Sequence, residues 1–478
     1  MEESQEQLFH RALQHHQQGQ LEPAAQGYQS ILALNPRHAD ALHLLGVTFL
    51  QRGDPRGAVD LIRRAAALAP ASVAIHANLG EAYRACGELD QAAAACRTAL
   101  RLQPDYPEAA NNLGLILLAQ GQPSAAVEQF RAALRSQPEW ALLHNNLGHA
   151  LRTTGDLPTA LAAFRQAVRL DAGCAEAHGN LGQLLLEQNA RQQALVHCQE
   201  AVRLRPDLPE LHNNLGNVLR SQGQLAEAKL AYFEALRLNP ALGITYNNLG
   251  QALQEEGDLR GAFTWYHQAL QREPQSARIH ANLASAFEEQ GNLERAADRY
   301  RMALQLDPDF AEAHNGLGFV LHEQGKLAEA MSAYRAVLRL RPGFAMVHCN
   351  LGNLHEELGD LAAAEAEYRT ALQIDPDLAA AHGQLATLRR GKLPEEDLAA
   401  LRQQLARPGL PLGKRLVLHF GLAHVLDGRG DYPAAAEHMR QGNALCQKLW
   451  LKQGQSYDPQ VHTAFIDRLR TTLTLAFF

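Results

Sequence analysis

The feature that most constrains this chain is a proline that returns every 34 residues. Prolines stand at 36, 70, 104, 138, 206, 240, 274, 308, 342 and 376, and Ala172 fills the one double gap. Residues 209–242 show what is repeated. Leu211, Leu215 and Leu219 recur at i, i+4, i+8 with Val218 on the same face. A second pattern runs from Leu225 to Leu238, with Ala228, Tyr232, Ala235 and Leu236 on one side. Apolar residues at this spacing predict two amphipathic helices rather than strands. Gly223 sits between them, where a left-handed residue closes a helix, and Pro240 stops the second.

Phased on the prolines, eleven such units cover residues 5–378. Position twenty is alanine in all eleven, from Ala24, Ala58 and Ala92 through Ala364, and position eight is glycine in nine, with Ala12 and Ala284 as the exceptions. Small residues there let neighbouring helices approach, and a larger side chain would overpack at about 1–3 kcal/mol. The turn position is glycine in ten units and Asn189 in the sixth, the next residue most tolerant of positive φ. A helix–turn–helix unit with this period resembles the tetratricopeptide repeat. The resemblance implies an all-α fold, an α-α superhelical solenoid of tetratricopeptide repeats, right-handed as that family is. One hairpin cannot bury its apolar face alone, so the core must run along the array.

The expected organisation has three parts. Residues 1–390 hold the array and the start of a capping helix. Residues 391–411, with Pro394, Pro408 and Pro411, read as an irregular segment. Residues 412–478 read as a divergent hairpin (LGKRLVLHFGLAHVLD, then AAAEHMRQGNALCQKLWLKQ) followed by an amphipathic helix over 459–476.

Composition narrows function. With 44 basic and 51 acidic residues the net charge is −7, which gives no general footprint for nucleic acid or an anionic membrane. The N-terminus lacks the apolar core of a secretory signal, and no run is long enough to span a bilayer; the expected location is cytoplasmic. The six cysteines lie far apart without a CxxC, and Cys96 and Cys198 fall at position 24, where tyrosine stands in other repeats. They read as small core residues in a reducing compartment. No phosphate-binding loop, zinc-protease helix or nucleophile elbow occurs, so neither catalysis nor a cofactor nor a metal is expected on this chain.

Three polar rows follow the repeat. Asparagine occupies position six as Asn78, Asn112, Asn146, Asn180, Asn214, Asn248, Asn282 and Asn350. These amides either bond a neighbouring repeat or form a ladder on the concave surface that clamps an extended peptide by its backbone, using both donor and acceptor. Second asparagines at Asn111, Asn145, Asn213 and Asn247 add polarity that stacking does not need, which favours peptide binding. The NNLG pattern resembles the superhelix of O-linked N-acetylglucosamine transferases, and that likeness implies a ladder for protein substrates. Histidine at position four (His76, His144, His178, His212, His280, His314, His348, His382) recurs about 10 Å apart, too far to share a metal, and reads as packing with a polar edge. Arginines late in the second helix, such as Arg101, Arg203 and Arg339, complement the helix dipole. Near the ends of the first helices Arg84, Arg152 and Arg220 give way to Glu288 and Glu356, joined by Glu255, Glu289, Glu323 and Glu357. The inner surface is therefore expected to turn acidic in the C-terminal half.

Residues 412–478, with HFGLAHVLDGRGDYPAAAEHMRQGNALCQ and then YDP, resemble the joint between repeats and catalytic domain in bacterial tetratricopeptide-repeat sulfotransferases. That resemblance implies a catalytic domain docked on the C-terminal helices, but carries no catalytic residue onto this chain. Two readings stand: a scaffold for proteins or peptides, or the substrate-recruiting part of a sulfotransferase or O-linked glycosyltransferase.

Overall fold

The structure is a computed structural model that describes residues 4–452. Every regular element among them is helical, and the eleven helix pairs fall on the expected period, from Gln5–Gln17 and Leu21–Leu34 to Ala345–Glu357 and Leu361–Ile374. The chain divides into two compact units, Met1–Glu256 and Gly257–Phe478. The division falls in the turn of the eighth repeat, a place the sequence period does not mark.

Two local devices fix each hairpin. The first is the turn. Ten glycines from Gly19 to Gly359 have φ between 71° and 88°, and Asn189 takes φ 60° in the sixth repeat. That is the left-handed conformation the turn demands. The second is the start of the second helix. Where it is preceded by Asp54, Asp156, Asp258, Asn292 or Asp360, the side chain accepts the N–H three residues on, satisfying one of the orphan donors of a helix start.

Packing follows from small residues. All eleven position-twenty alanines are fully buried. The position-eight glycines lie beneath the side chain at position 24 of the same hairpin. A β-carbon on Gly46 would come within 2.5 Å of Ile62, on Gly216 within 2.5 Å of the Tyr232 ring, and on Gly318 within 2.7 Å of the Tyr334 ring. Side chains of the two helices thus interlock across bare backbone, at a density that tolerates no added methyl.

Successive first helices touch one another within each unit, for example Val73–Ala85 with Pro107–Ala119 and Ala277–Glu289 with Ala311–Glu323, whereas no successive second helices make comparable contact. The first helices therefore line the inner side of each unit.

Beyond the array the structure corrects one expectation. Residues 391–411 are not irregular: Glu395–Leu405 is a helix, with Leu398 and Leu401 buried. The prolines frame it. Pro394 takes the N-cap position, and Pro408 and Pro411 fall beyond its end, where the missing N–H costs nothing. The capping helix forms as Ala379–Arg389 and the divergent hairpin as Leu412–Gly428 and Tyr432–Lys452. Leu412–Gly428 packs directly on Ala379–Arg389, with Gly421 set against Gly383 and Ala386. The helix expected over 459–476 lies outside the described residues.

Candidate functional site

The asparagine row lies on the first helices and links one repeat to the next. The Nδ2 of Asn146 donates to Oδ1 of Asn111 at 2.9 Å, Asn180 to Asn145 at 2.9 Å, and Asn248 to Asn213 at 2.9 Å. Asn78 reaches His43 in the same way, at 2.8 Å. Within the first unit the rule is plain: position six donates to position five of the preceding repeat wherever that residue can accept, whereas in the second unit Asn350 does not reach Asn315. The second asparagines are thus the acceptors of the ladder, a role their spacing did not reveal. Asn111, Asn146, Asn213, Asn214 and Asn248 are buried.

Two rungs of the first unit break the rule for a chemical reason. The residue 35 before Asn112 is Ala77, and the residue 35 before Asn214 is Gly179; neither side chain can accept. Asn112 and Asn214 only accept, from Asn111 at 3.5 Å and from Gln183 respectively. Their own amide N–H groups have no protein partner. Asn350, half-buried in the second unit, makes no side-chain hydrogen bond, and Asn282 is also half-buried.

Charge differs along this inner face. In the first unit Arg152 donates to Gln183 at 3.2 Å and Arg220 to Gln251 at 2.8 Å, each one repeat on, and Arg220 lies 3.4 Å from Glu255. In the second unit Glu288 accepts from the Tyr300 hydroxyl at 3.1 Å, Glu356 from Tyr368 at 3.0 Å, and Glu357 from His322 at 2.6 Å. Burial raises the Glu288 carboxyl above its ordinary range; the Tyr300 hydrogen bond opposes this, and the charges of Glu289 and Glu323 add to it.

Models of the tetratricopeptide repeat match residues 11–73, 145–209 and 320–379, 49–99, 80–121 and 286–325, 108–137 and 243–272, 209–242, and 416–441 in the divergent hairpin. The chain is a tetratricopeptide repeat protein. Among curated proteins none matches it. The solved human IFIT1 dimer with m7Gppp-AAAA is similar over 78% of this chain and 90% of its own, at 18% identity and a TM-score of 0.51, a likeness of fold alone. Yeast Tom70 (14% identity, 85% of this chain and 97% of its own, TM-score 0.45) and Cut9 of the APC/C Cut9–Hcn1 hetero-tetramer (15%, 87% and 96%, 0.48) resemble it more loosely.

In this tetratricopeptide array the histidine row fastens turns. Nε2 of His76, His144, His212, His280, His314 and His382 each donates to the carbonyl of the proline six residues before it, at 2.8–3.2 Å. Tyr246 donates from its hydroxyl to Pro240 in the same way. The exceptional His178, which follows Ala172, instead sets its Nδ1 3.1 Å from that of His197, and His348 bonds Glu367 at 2.6 Å. Among the described residues no three His, Cys, Asp or Glu side chains converge as metal ligands. Cys96 and Cys198 are fully buried free thiols, pushed up to about 12 by burial. No described helix is long and apolar enough to cross a membrane.

Both repeats without glycine at position eight compensate nearby. In the first, Ala12 faces Gly27, where a β-carbon would come within 2.6 Å of the alanine methyl. In the ninth, Ala284 takes the space a tyrosine ring fills elsewhere, and Tyr300 lies instead against Gly316 of the next repeat. Gly316 is the one position-six residue between Asn282 and Asn350, so the asparagine row yields there to the displaced ring.

Proposed function

We propose that this protein is an interaction scaffold that holds extended protein segments on the inner face of its first helices. The observation that carries the reading is the pair Asn112 and Asn214. Each presents amide N–H groups with no protein partner, beside rungs whose amides are already spent between repeats. An unpaired carboxamide on an inner surface fits a peptide carbonyl, which every sequence offers, so capture depends on an extended backbone rather than on particular side chains. Asn350 offers the same group in the second unit, and the whole row from Asn78 to Asn350 is proposed as the peptide-facing set.

The ladder also shows how to separate binding from folding. Asn146 and Asn180 complete Asn111 and Asn145, so their loss strips partners from buried or half-buried oxygens, at about 1–3 kcal/mol each. Asn112 and Asn214 donate to no other repeat; they only accept, Asn112 from Asn111 at a long 3.5 Å and Asn214 from the half-buried Gln183, which solvent can still reach. The double variant N112A/N214A is expected to keep wild-type helicity and melting while weakening capture of short random-sequence peptides about tenfold, two lost hydrogen bonds' worth. Unchanged capture would sink the proposal.

The second reading is a substrate-recruiting arm for a sulfotransferase or O-linked glycosyltransferase domain. It rests on the likeness of residues 412–478, within which Leu412–Gly428 and Tyr432–Lys452 are two helices packed on each other. A separately produced sulfotransferase domain that gains no affinity for this chain would count against it.

A further inference from the structure

In the second unit the inner face departs from its own pattern at one residue. Position nine is Asn217 in the seventh repeat and Asn353 in the eleventh, and each accepts a hydrogen bond from the buried tyrosine at position 24, Tyr232 at 2.8 Å and Tyr368 at 2.7 Å. In the tenth repeat position nine is Phe319, which cannot accept, and the residue is 42% exposed. Tyr334 beneath it is 1% exposed, with its ring against Gly318 as in the sibling repeats, yet its hydroxyl has no partner. The Tyr334 ring sits over Gly318 as those of Tyr232 and Tyr368 sit over Gly216 and Gly352, whose hydroxyls meet position nine, and the charges of Glu288 and Glu323 act on it. Glu323 is exposed and unpaired. His322 beside it is tied to Glu357, and Glu288 accepts from the neutral hydroxyl of Tyr300 and pairs with no cation.

We propose that Phe319, Glu288, Glu323 and the Tyr334 hydroxyl form a binding site for an arginine side chain of a captured protein segment. The inference rests on the peptide-binding reading above and names what the second unit selects. Each part has a physical role. A planar guanidinium stacks on an exposed aromatic face, where the ring quadrupole attracts it. Its N–H fork supplies donors to two carboxylates that have no cation of their own. The Tyr334 hydroxyl, free to rotate, accepts a further N–H or donates to the segment's backbone. The raised Glu288 carboxyl fits the same picture: a half-buried anion among like charges gains most from an incoming cation. Lysine suits the site less, because an ammonium has neither a flat face for Phe319 nor a fork for two carboxylates.

The test uses the full chain at low ionic strength and three fluorescein-labelled glycine–serine peptides that differ at one central residue: arginine, its neutral isostere citrulline, or lysine. The arginine peptide is expected to bind about tenfold tighter than the citrulline peptide, with lysine between them. E288Q and E323Q together should erase that gap. Phe319→Asn should erase it too, since an asparagine there both removes the ring and gives Tyr334 the acceptor its siblings have, a change that does not threaten folding. N112A/N214A, in the other unit, should leave the arginine-to-citrulline ratio unchanged. Equal binding of arginine and citrulline overturns the cation site while leaving peptide capture standing. Equal binding of arginine and lysine overturns the guanidinium assignment. A gap that survives E288Q/E323Q and Phe319→Asn places the cation elsewhere and overturns the site. No binding of any of the three overturns this proposal and the peptide reading together.

Discussion

The substitution Gly316→Asn restores the residue most repeats carry at position six, yet it should destabilise the protein. A β-carbon at 316 would come within 2.6 Å of the Tyr300 ring and of its hydroxyl oxygen. Tyr300 is 5% exposed, so its ring has little room to yield. Overpacking of this kind costs about 1–3 kcal/mol, and removing a helix-interior glycine returns roughly 0.5 kcal/mol. The net loss should be about 0.5–2.5 kcal/mol. Ala284→Gly alone should cost about 1 kcal/mol in helix propensity. Combined, the two should not add, because a bare position 284 lets the Tyr300 ring return to the place its siblings occupy over Gly216, Gly318 and Gly352. The double variant should recover about 1–3 kcal/mol relative to the sum. Hydrogen exchange over Ala277–Glu289 and Leu293–Leu306 is the suitable assay, since a long array need not unfold in one step. Wild-type protection in Gly316→Asn, or strict additivity in the double variant, would refute the account of the displaced ring.

Other consequences follow from the same packing. Cys96 and Cys198 should resist thiol reagents at mildly alkaline pH in the folded protein and react only on unfolding, because burial raises both thiols; labelling at the rate of an exposed thiol would contradict their placement. In the divergent hairpin, His419 and His438 bring their Nδ1 atoms within 2.9 Å. Burial lowers both titrations, followed by the mutual charge and Arg415 at His419 and by Arg402 at His438, with Glu437 opposing at each. The native pair therefore binds fewer protons than the unfolded chain, so its stabilising effect is present above the ordinary histidine range and lost as pH falls through it. Exchange over Leu412–Gly428, corrected for intrinsic rate, should accelerate between about pH 7 and about pH 5, and His438→Gln should flatten that response. Asn189→Gly should leave the sixth repeat as stable as wild type or slightly more so, whereas Gly223→Val should destabilise the seventh, because a β-branched residue at φ 77° is strained; equal stability of both would mean that the turn does not require positive φ.

Much of the fold was legible because each repeat makes the same steric demands. Proline, the turn glycine and the position-twenty alanine report local geometry, and Asn189 betrays the turn conformation by being the tolerated substitute. The helix Glu395–Leu405 was not legible, because prolines that frame a helix read like prolines that break one. The ladder was half legible. Its positions follow the period, but its direction, from position six to position five of the preceding repeat, exists only once the helices are stacked. Gly316 shows the limit most clearly. Its explanation lies in Ala284, 32 residues earlier, and in a tyrosine between them.

The central claim is that unpaired inner-face amides hold peptide backbones. Equilibrium binding of a labelled pool of short random-sequence peptides to wild-type and N112A/N214A protein tests it most directly, with melting followed on the same samples. The account predicts unchanged melting and capture weakened about tenfold across the pool, whatever the peptide sequence. Equal capture by the two proteins at equal stability would contradict it.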